Sequence, residues 1–441
     1  MTRLAVRHRV VGLLFLMNLV NYVDRICLSV AAPVMIASLG WDKATFGVAF
    51  SATLAGYAFG QLPAGVIITR TGGRVALAVL SLCWSLMTIL TPVAAASRWL
   101  FFVVRILLGI FEAGNSPGQA TFNAQWLPAR EYARGQAISF AGTQAGQLLA
   151  FPLVSWLLVR FTWPAVFYVL GVLGLVWTIG WLAATTDRPE DHPRISAEEL
   201  ALIRRERLGR PPAPRIPWGL LLRSPSARAL VLAALLWGYT GWLIIAWFPT
   251  YLVNTRGVTM TDLGWLGMIP TALGMIGMLC GAAMSDWLLA RGFSTAVARK
   301  TIPACTMGAG AILILVALRA GTVGGAVASL SAHALLSGLA VAGFFALPPV
   351  LLPRAPGIMA ACMSAAFGVG GIIGPSVAGF LVEASGQWTL PFVTACGSSL
   401  IAAALLAGAV RMEPIAGTDG IELDEESSPF RAAAGHRGAN V

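Results

Sequence analysis

Apolar runs alternate with short polar breaks along most of the chain. A helix needs about 20 apolar residues to cross the hydrocarbon core of a bilayer. Runs of that length fall near 10–37, 45–69, 75–95, 99–124, 136–159, 165–185, 226–253, 262–289, 300–318, 324–350, 358–383 and 389–411. The pattern predicts twelve membrane-spanning helices. Gly and Pro interrupt several runs, which membrane helices tolerate when neighbours satisfy the freed backbone groups. The first run outlasts a signal peptide, contains Asn21-Tyr22-Val23-Asp24-Arg25 and ends at no small-residue cleavage site. It therefore reads as a span.

Residues 186–225 are the one long polar interior segment. Ser196, followed by Glu198 and Glu199 with Arg204 and Arg205 further on, predicts a short surface helix, ended by Pro211-Pro212. The segment reads as a solvated linker. It divides the chain into an N-terminal six-helix bundle (1–185), the linker with its amphipathic helix (186–225), a C-terminal six-helix bundle (226–411) and a tail (412–441). The tail carries Glu422, Asp424, Glu425 and Glu426 without apolar periodicity and is expected to be disordered. Gly65 to Arg74 (GVIITRTGGR) and Gly281 to Gly292 (GAAMSDWLLARG) sit at matching places after helices 2 and 8. Such internal repeats are typical of secondary transporters.

Composition agrees. Only 11% of the 441 residues are charged, and the mean hydropathy is +0.77. That is too little polar surface for a water-soluble chain of this length. The net charge of +11 resides in short loops, which argues for membrane orientation and against nucleic acid. If the N-terminus is cytoplasmic, that side holds Arg3, Arg7, Arg9, Arg70, Arg74, Arg130, Arg134, the arginines of 188–228, Arg291, Arg299, Lys300, Arg354 and Arg411. The other side holds only Lys43, Arg98, Arg160, Arg256 and Arg319. The asymmetry puts both termini in the cytoplasm and supports an even number of spans. The six cysteines lie in or beside apolar runs with no CxxC, so neither a disulfide framework nor a metal site is expected. The four histidines do not cluster and no GxxxxGK[ST] occurs, which argues against an enzyme and against an ATP-driven pump.

Charges inside spans are few, and each is costly there unless it faces a cavity or a partner. Asp24 and Arg25 lie in helix 1, and Arg105 and Glu112 in helix 4. Seven residues separate the helix 4 pair, about 10 Å along the axis, so both project from one face but are too far apart to pair tightly. Helix 1 offers the opposite charges. One arrangement pairs Arg105 with Asp24 and leaves Arg25 near Glu112. A structural ion-pair network would be weak evidence for stability, so these charges read as functional. Protonating Glu112, or Asp24, would release an arginine to take an anion, and the two would travel together. His333 in helix 10 reads more readily as a hydrogen-bonded core histidine than as a relay. Trp242 and Trp247 read as packing or interface residues, with stacking on an aromatic substrate as the alternative. Gln119, Asn123, Gln144 and Gln147 could line the path or join helices, and Gly142 with Gly146 reads as a close packing face.

In order and spacing, several segments resemble the anion:cation symporter family of the major facilitator superfamily. They are Asn21 to Arg25, Gly47 to Tyr57 with Gln61 to Gly65, Arg70 to Arg74, Arg105 to Gly109 with Glu112, Ala113 and Pro117, Trp126 to Pro128 with Glu131 and Arg134, and Asp191 to Ser196. The resemblance covers essentially the whole chain. It implies an all-α membrane fold of two pseudo-symmetric six-helix bundles, alternating access, and proton symport of a small organic anion without any cofactor beyond the proton gradient. It also implies a monomer in a bacterial inner membrane. Asp24 and Glu112 would couple protons. Arg25, Arg105, Tyr22, Tyr57, Gln147 and Ser364 would serve the substrate, and Arg70, Arg74, Asp286 and Arg291 the gate loops. Thr69 departs from the usual Asp of the loop after helix 2. Helix 11 at Ser364 to Gly368 lacks the Asn, and Thr143 replaces the Gln, expected of sugar-acid carriers. These departures favour an anion with fewer hydroxyls, such as a simple carboxylate, an aromatic acid or a sulfonate. An exporter of a metabolite or drug, or a transporter-like sensor, is the alternative.

Overall fold

A computed structural model describes residues 5–206, 218–353 and 355–415. The predicted break at Pro211-Pro212 and the acidic cluster of the tail lie outside the described residues. Twelve helices are long and apolar enough to cross a membrane. They are α1 (Val6–Leu39), α2 (Lys43–Ile68), α3 (Gly73–Ala94), α4 (Arg98–Trp126), α5 (Ala129–Arg160), α6 (Trp163–Ala184), α7 (Pro225–Arg256), α8 (Met260–Ala290), α9 (Val297–Arg319), α10 (Val323–Leu351), α11 (Pro356–Ser385) and α12 (Thr389–Ala409). Each matches a run expected from the sequence. Twelve spans return the chain to the side on which it starts, so both ends of the described chain belong to one face, here called the termini face.

Three spans break where proline demands it, α10 among them, which divides at Ala346–Leu347 before Pro348. Pro117 has no N–H for the carbonyl four residues back, and α4 divides at Ala113–Gly114 into Arg98–Glu112 and Asn115–Trp126. Pro270 acts likewise in α8, which divides at Gly267. Glycines set the closest approaches. A Cβ on Gly146 of α5 would stand 2.9 Å from Tyr22 Cβ of α1, and one on Gly374 of α11 would stand 2.5 Å from the Tyr239 carbonyl of α7.

The bundles are joined on one side only. Away from the termini face a single hydrophobic core runs through both halves, including Phe46, Phe50, Trp247, Tyr251 and Trp388. Ser29 Oγ donates to the carbonyls of Ile245 (2.6 Å) and Ala246 (2.9 Å). Ser376 and Ser51 share a 2.7 Å hydroxyl bond, and Lys43 N donates to Glu383 Oε2 at 3.0 Å. Toward the termini face the cores separate. One surrounds Trp84, Trp126 and Trp181, the other Trp237, Phe344 and Met359. Among the described residues, no hydrogen bond or ion pair joins the halves there. The conformation is therefore closed on the far face and parted on the termini face.

The linker departs from the solvated reading. Its helix, Ala197–Arg205, is capped by Ser196 as its sequence foretold. However, Ile203 is fully buried, and Glu199 accepts from the backbone N–H groups of Val6 (3.2 Å) and Arg7 (2.9 Å). The first N–H groups of a helix have no partner within it, and the N-cap Ala5 has no side-chain oxygen to offer. Glu199 fills that role, so the linker helix docks beneath α1.

Candidate functional site

Two of the four intramembrane charges, Arg25 and Glu112, pair at the break in α4. Glu112 ends its first segment and is fully buried. Arg25 reaches it from α1, with Nη2 at 2.8 Å and Nε at 3.2 Å from Glu112 Oε2. The guanidinium also lies over the rings of Tyr57 (4.2 Å) and Tyr22 (4.9 Å). Aromatic faces attract a cation when it is desolvated, by about 2 kcal/mol or more each. Tyr57 is in turn 3.4 Å from Ser116 Oγ.

Arg105 and Asp24 do not pair directly, contrary to one arrangement the spacing allowed. Each has a hydroxyl from another helix. Arg105 Nε donates to Thr53 Oγ1 of α2 at 2.9 Å, and its Nη1 makes no hydrogen bond. Thr88 Oγ1 of α3 donates to Asp24 Oδ2 at 2.5 Å, and the Cys27 thiol lies against the Asp24 carbonyl at 2.8 Å. Gly109 allows the first contact, because a Cβ there would stand 2.7 Å from Tyr57 N of α2.

Arg25 and Arg105 line one small cavity between the bundles. Ser29 and Thr53 add hydroxyls. Phe50, Leu54, Trp242, Ile245 and Pro375 form apolar walls. The floor is thus cationic and its surroundings mostly apolar.

A polar ladder runs from this centre into the N-terminal bundle. Asn18, Asn21 and Arg25 form one stripe on α1, and Glu112, Asn115, Gln119 and Asn123 form another on α4, at spacings of three or four residues. Asn115 Nδ2 donates to Asn18 Oδ1 at 3.3 Å, and Asn18 Nδ2 to Gln119 Oε1 at 2.5 Å. Gln136 Oε1 of α5 accepts from Gln119 Nε2 (3.2 Å) and Asn123 Nδ2 (2.5 Å), and Gln136 Nε2 donates to Tyr132 OH at 3.3 Å.

Among the described residues, the other expected side chains make no hydrogen bond to the four charges. Gln147 bonds Gln144 along its own helix at 3.1 Å, and Ser364 is exposed. Trp247 is buried in the far-face contact, its Nε1 donating to Pro375 O at 2.9 Å, whereas Trp242 lines the cavity. His333 is a buried core residue whose Nδ1 lies 2.9 Å from Gly310 O. At the gate loops, Arg74 is held by Asp187 (backbone N, 2.9 Å) and the Leu182 carbonyl (2.5 Å). Arg70 and Asp286 are exposed, and Arg291 stacks on Trp287 at 4.7 Å. Sequence reasoning passed over Thr53, Thr88, Asn18, Asn115 and Gln136. The signal for three of them was present: polar residues recurring at three- and four-residue spacing inside apolar runs.

A family model described as Major Facilitator Superfamily matches residues 14–357. A probable sulfoacetate transporter of Cupriavidus necator is 29% identical over 393 residues, covering 89% of this chain and 91% of its own. The hexuronate transporter of Bacillus subtilis is 29% identical over 415 residues, covering 92% and 95%. A bacterial homologue of the human lysosomal transporter Spinster, solved in an inward-facing and occupied conformation, superposes with a TM-score of 0.71 at 17% identity, covering 91% of this chain and 94% of its own. The chain is a multi-pass membrane protein and a secondary transporter, not an enzyme; it belongs to the major facilitator superfamily, in an anion:cation symporter-like family.

Proposed function

We propose that the protein carries a small organic anion into the cell together with protons. Asp24 and Glu112 bind the protons, and Arg25 and Arg105 bind the anion. One observation carries this reading: the buried Arg25–Glu112 pair stands at the edge of the cavity between the bundles. A buried guanidinium is least costly when a negative partner faces it. With Glu112 ionised, that partner is the carboxylate. With Glu112 protonated, Arg25 keeps its place over Tyr22 and Tyr57 and turns its donors to an arriving anion. Arg105 offers Nη1 to the same ligand. Proton and anion then replace one another's charge, and neither stably occupies the site alone.

The apolar walls favour an anion with few hydroxyls, such as a short carboxylate or sulfonate. The name of the sulfoacetate relative supports this choice. The basic residues of the termini face support a cytoplasmic location for both termini, in a bacterial inner membrane. On that reading the parted face opens inward. Reconstituted protein should accumulate sulfoacetate or a related short anion when the outside is made acidic, and a protonophore should abolish the accumulation. Uptake indifferent to both would refute proton coupling.

A further inference from the structure

We infer that the polar ladder behind Glu112 holds a file of water that conducts the proton between Glu112 and the termini face, separately from the anion's cavity. This rests on the reading of Glu112 as a proton site. Its starting point is a set of polar atoms that make no hydrogen bond within the protein: Glu112 Oε1, both side-chain polar atoms of Asn21, Asn115 Oδ1 and Asn123 Oδ1. Their residues are all at least nine-tenths buried and lie along the ladder's two facing stripes. A buried polar atom without a partner is costly, and buried water is the usual remedy, each molecule serving about three such groups. Amides suit this use, because each can donate to one water and accept from the next without gaining charge.

Electrostatics decides between the two routes. On the cavity side Glu112 is covered by Arg25, with Arg105 on the same cavity wall. Two guanidinium charges repel an approaching hydronium ion. Behind Glu112 the groups are neutral. The ladder ends at Tyr132 of α5, next in sequence to Glu131, a partly exposed carboxylate that bonds Arg7 at 2.9 Å and lies 3.4 Å from His8 Nε2. The charged groups around the buried end are Arg25 in contact and Asp24 and Arg105 beyond it; the amides between add none. The step is a simple transfer. The Glu112 carboxylic acid gives its proton to the adjacent water and becomes the carboxylate that pairs with Arg25. The excess proton hops along the file to solvent beside Glu131. The amide bonds also hold α1, α4 and α5 together, so a purely structural ladder is the reading to be excluded.

The test needs no transported substrate. Full-length protein in lipid nanodiscs is given a rapid proton pulse from a photolysed caged acid, and the carboxylic carbonyl band of Glu112, identified as the band that Glu112→Gln removes, is followed by infrared spectroscopy. Gln119→Met replaces a rung by an apolar side chain of similar size. It should slow the band's appearance about tenfold or more by breaking the file of partners, with the equilibrium midpoint unmoved. Gln136→Met should do the same and serves if the first variant does not fold. Gln119→Ser, which keeps a polar partner, should recover most of the rate. An unchanged rate, or a moved midpoint with an unchanged rate, overturns the route. If Glu112→Gln removes no band, it is the reading of Glu112 as the proton site that fails.

Discussion

A guanidinium and a carboxylate at the centre of a membrane protein depend on each other. Removing one partner leaves an uncompensated buried charge, at a cost of about 3–5 kcal/mol. Glu112→Ala should therefore lower stability by that order in thermal unfolding of the detergent-solubilised protein. The Arg25→Met/Glu112→Met double variant should be distinctly more stable than the single changes would give by addition. Additive losses would mean that the 2.8 Å contact carries no coupling. Thr53→Val should act differently, since it leaves Arg105 Nε without its acceptor while every charge remains. A several-fold weaker apparent affinity for the anion, with folding retained, is the expected result. At this scale the sequence displayed the charges, and its one named arrangement set Arg25 near Glu112, but it did not display the hydroxyl partners of Arg105 and Asp24. Spacing along one helix limits which faces meet, whereas Thr53 and Thr88 arrive from helices 2 and 3. A hydroxyl in an apolar run is common enough to carry no signal of its own.

Helix packing decides whether those side chains are brought to the same place. Gly146 lets α1 and α5 touch, and a Cβ there would also stand 3.1 Å from Leu19 Cα. Gly146→Val should destabilise the N-terminal bundle by about 1–3 kcal/mol through overpacking, measurable as a lower midpoint of thermal unfolding. Helix ends matter as well. Asp42 caps α2, accepting from Thr45 N at 2.5 Å with Arg98 at 3.5 Å. Partial burial works to push its carboxyl up, but the Thr45 bonds and Arg98 outweigh that and hold it below the usual carboxylate range. A carboxyl held low adds stability above its unfolded pKa and loses it as pH falls through the folded one. Asp42→Ala should therefore cost about 1 kcal/mol near neutrality, and the difference from wild type should fade on strong acidification. Span positions were legible because a membrane helix announces itself by length and hydropathy. The docking of the linker helix was not legible. Ser196 and its glutamates mark a helix start, but only the three-dimensional placement of Ala5 shows that α1 needed Glu199.

For the whole molecule, the joined far face and parted termini face describe one end of an alternating-access cycle. Ser51 and Ser376 bridge the far-face closure with their hydroxyls 2.7 Å apart. A Ser51→Cys/Ser376→Cys variant, oxidised, should lose transport and regain it on reduction, with both single variants insensitive to oxidant. Transport that survives a confirmed crosslink would mean that this face need not open. Two bundles and a linker could be read from the order of apolar runs, but which faces were joined could not. Alternation requires both arrangements to be compatible with one sequence, so no residue pattern records the one adopted. Among the described residues, the buried carboxylates and arginines of the spans lie in the N-terminal bundle, so the proposed proton coupling belongs to that bundle, and the C-terminal bundle shapes the cavity with Trp242, Ile245 and Pro375.

The central claim is that Glu112 exchanges its proton for the anion on Arg25, and Glu112→Gln in proteoliposomes tests it most directly. With sulfoacetate or another transported anion, the variant should still exchange internal for external substrate at equilibrium but should not concentrate it along an imposed proton gradient. Accumulation by the variant to wild-type levels would contradict the account.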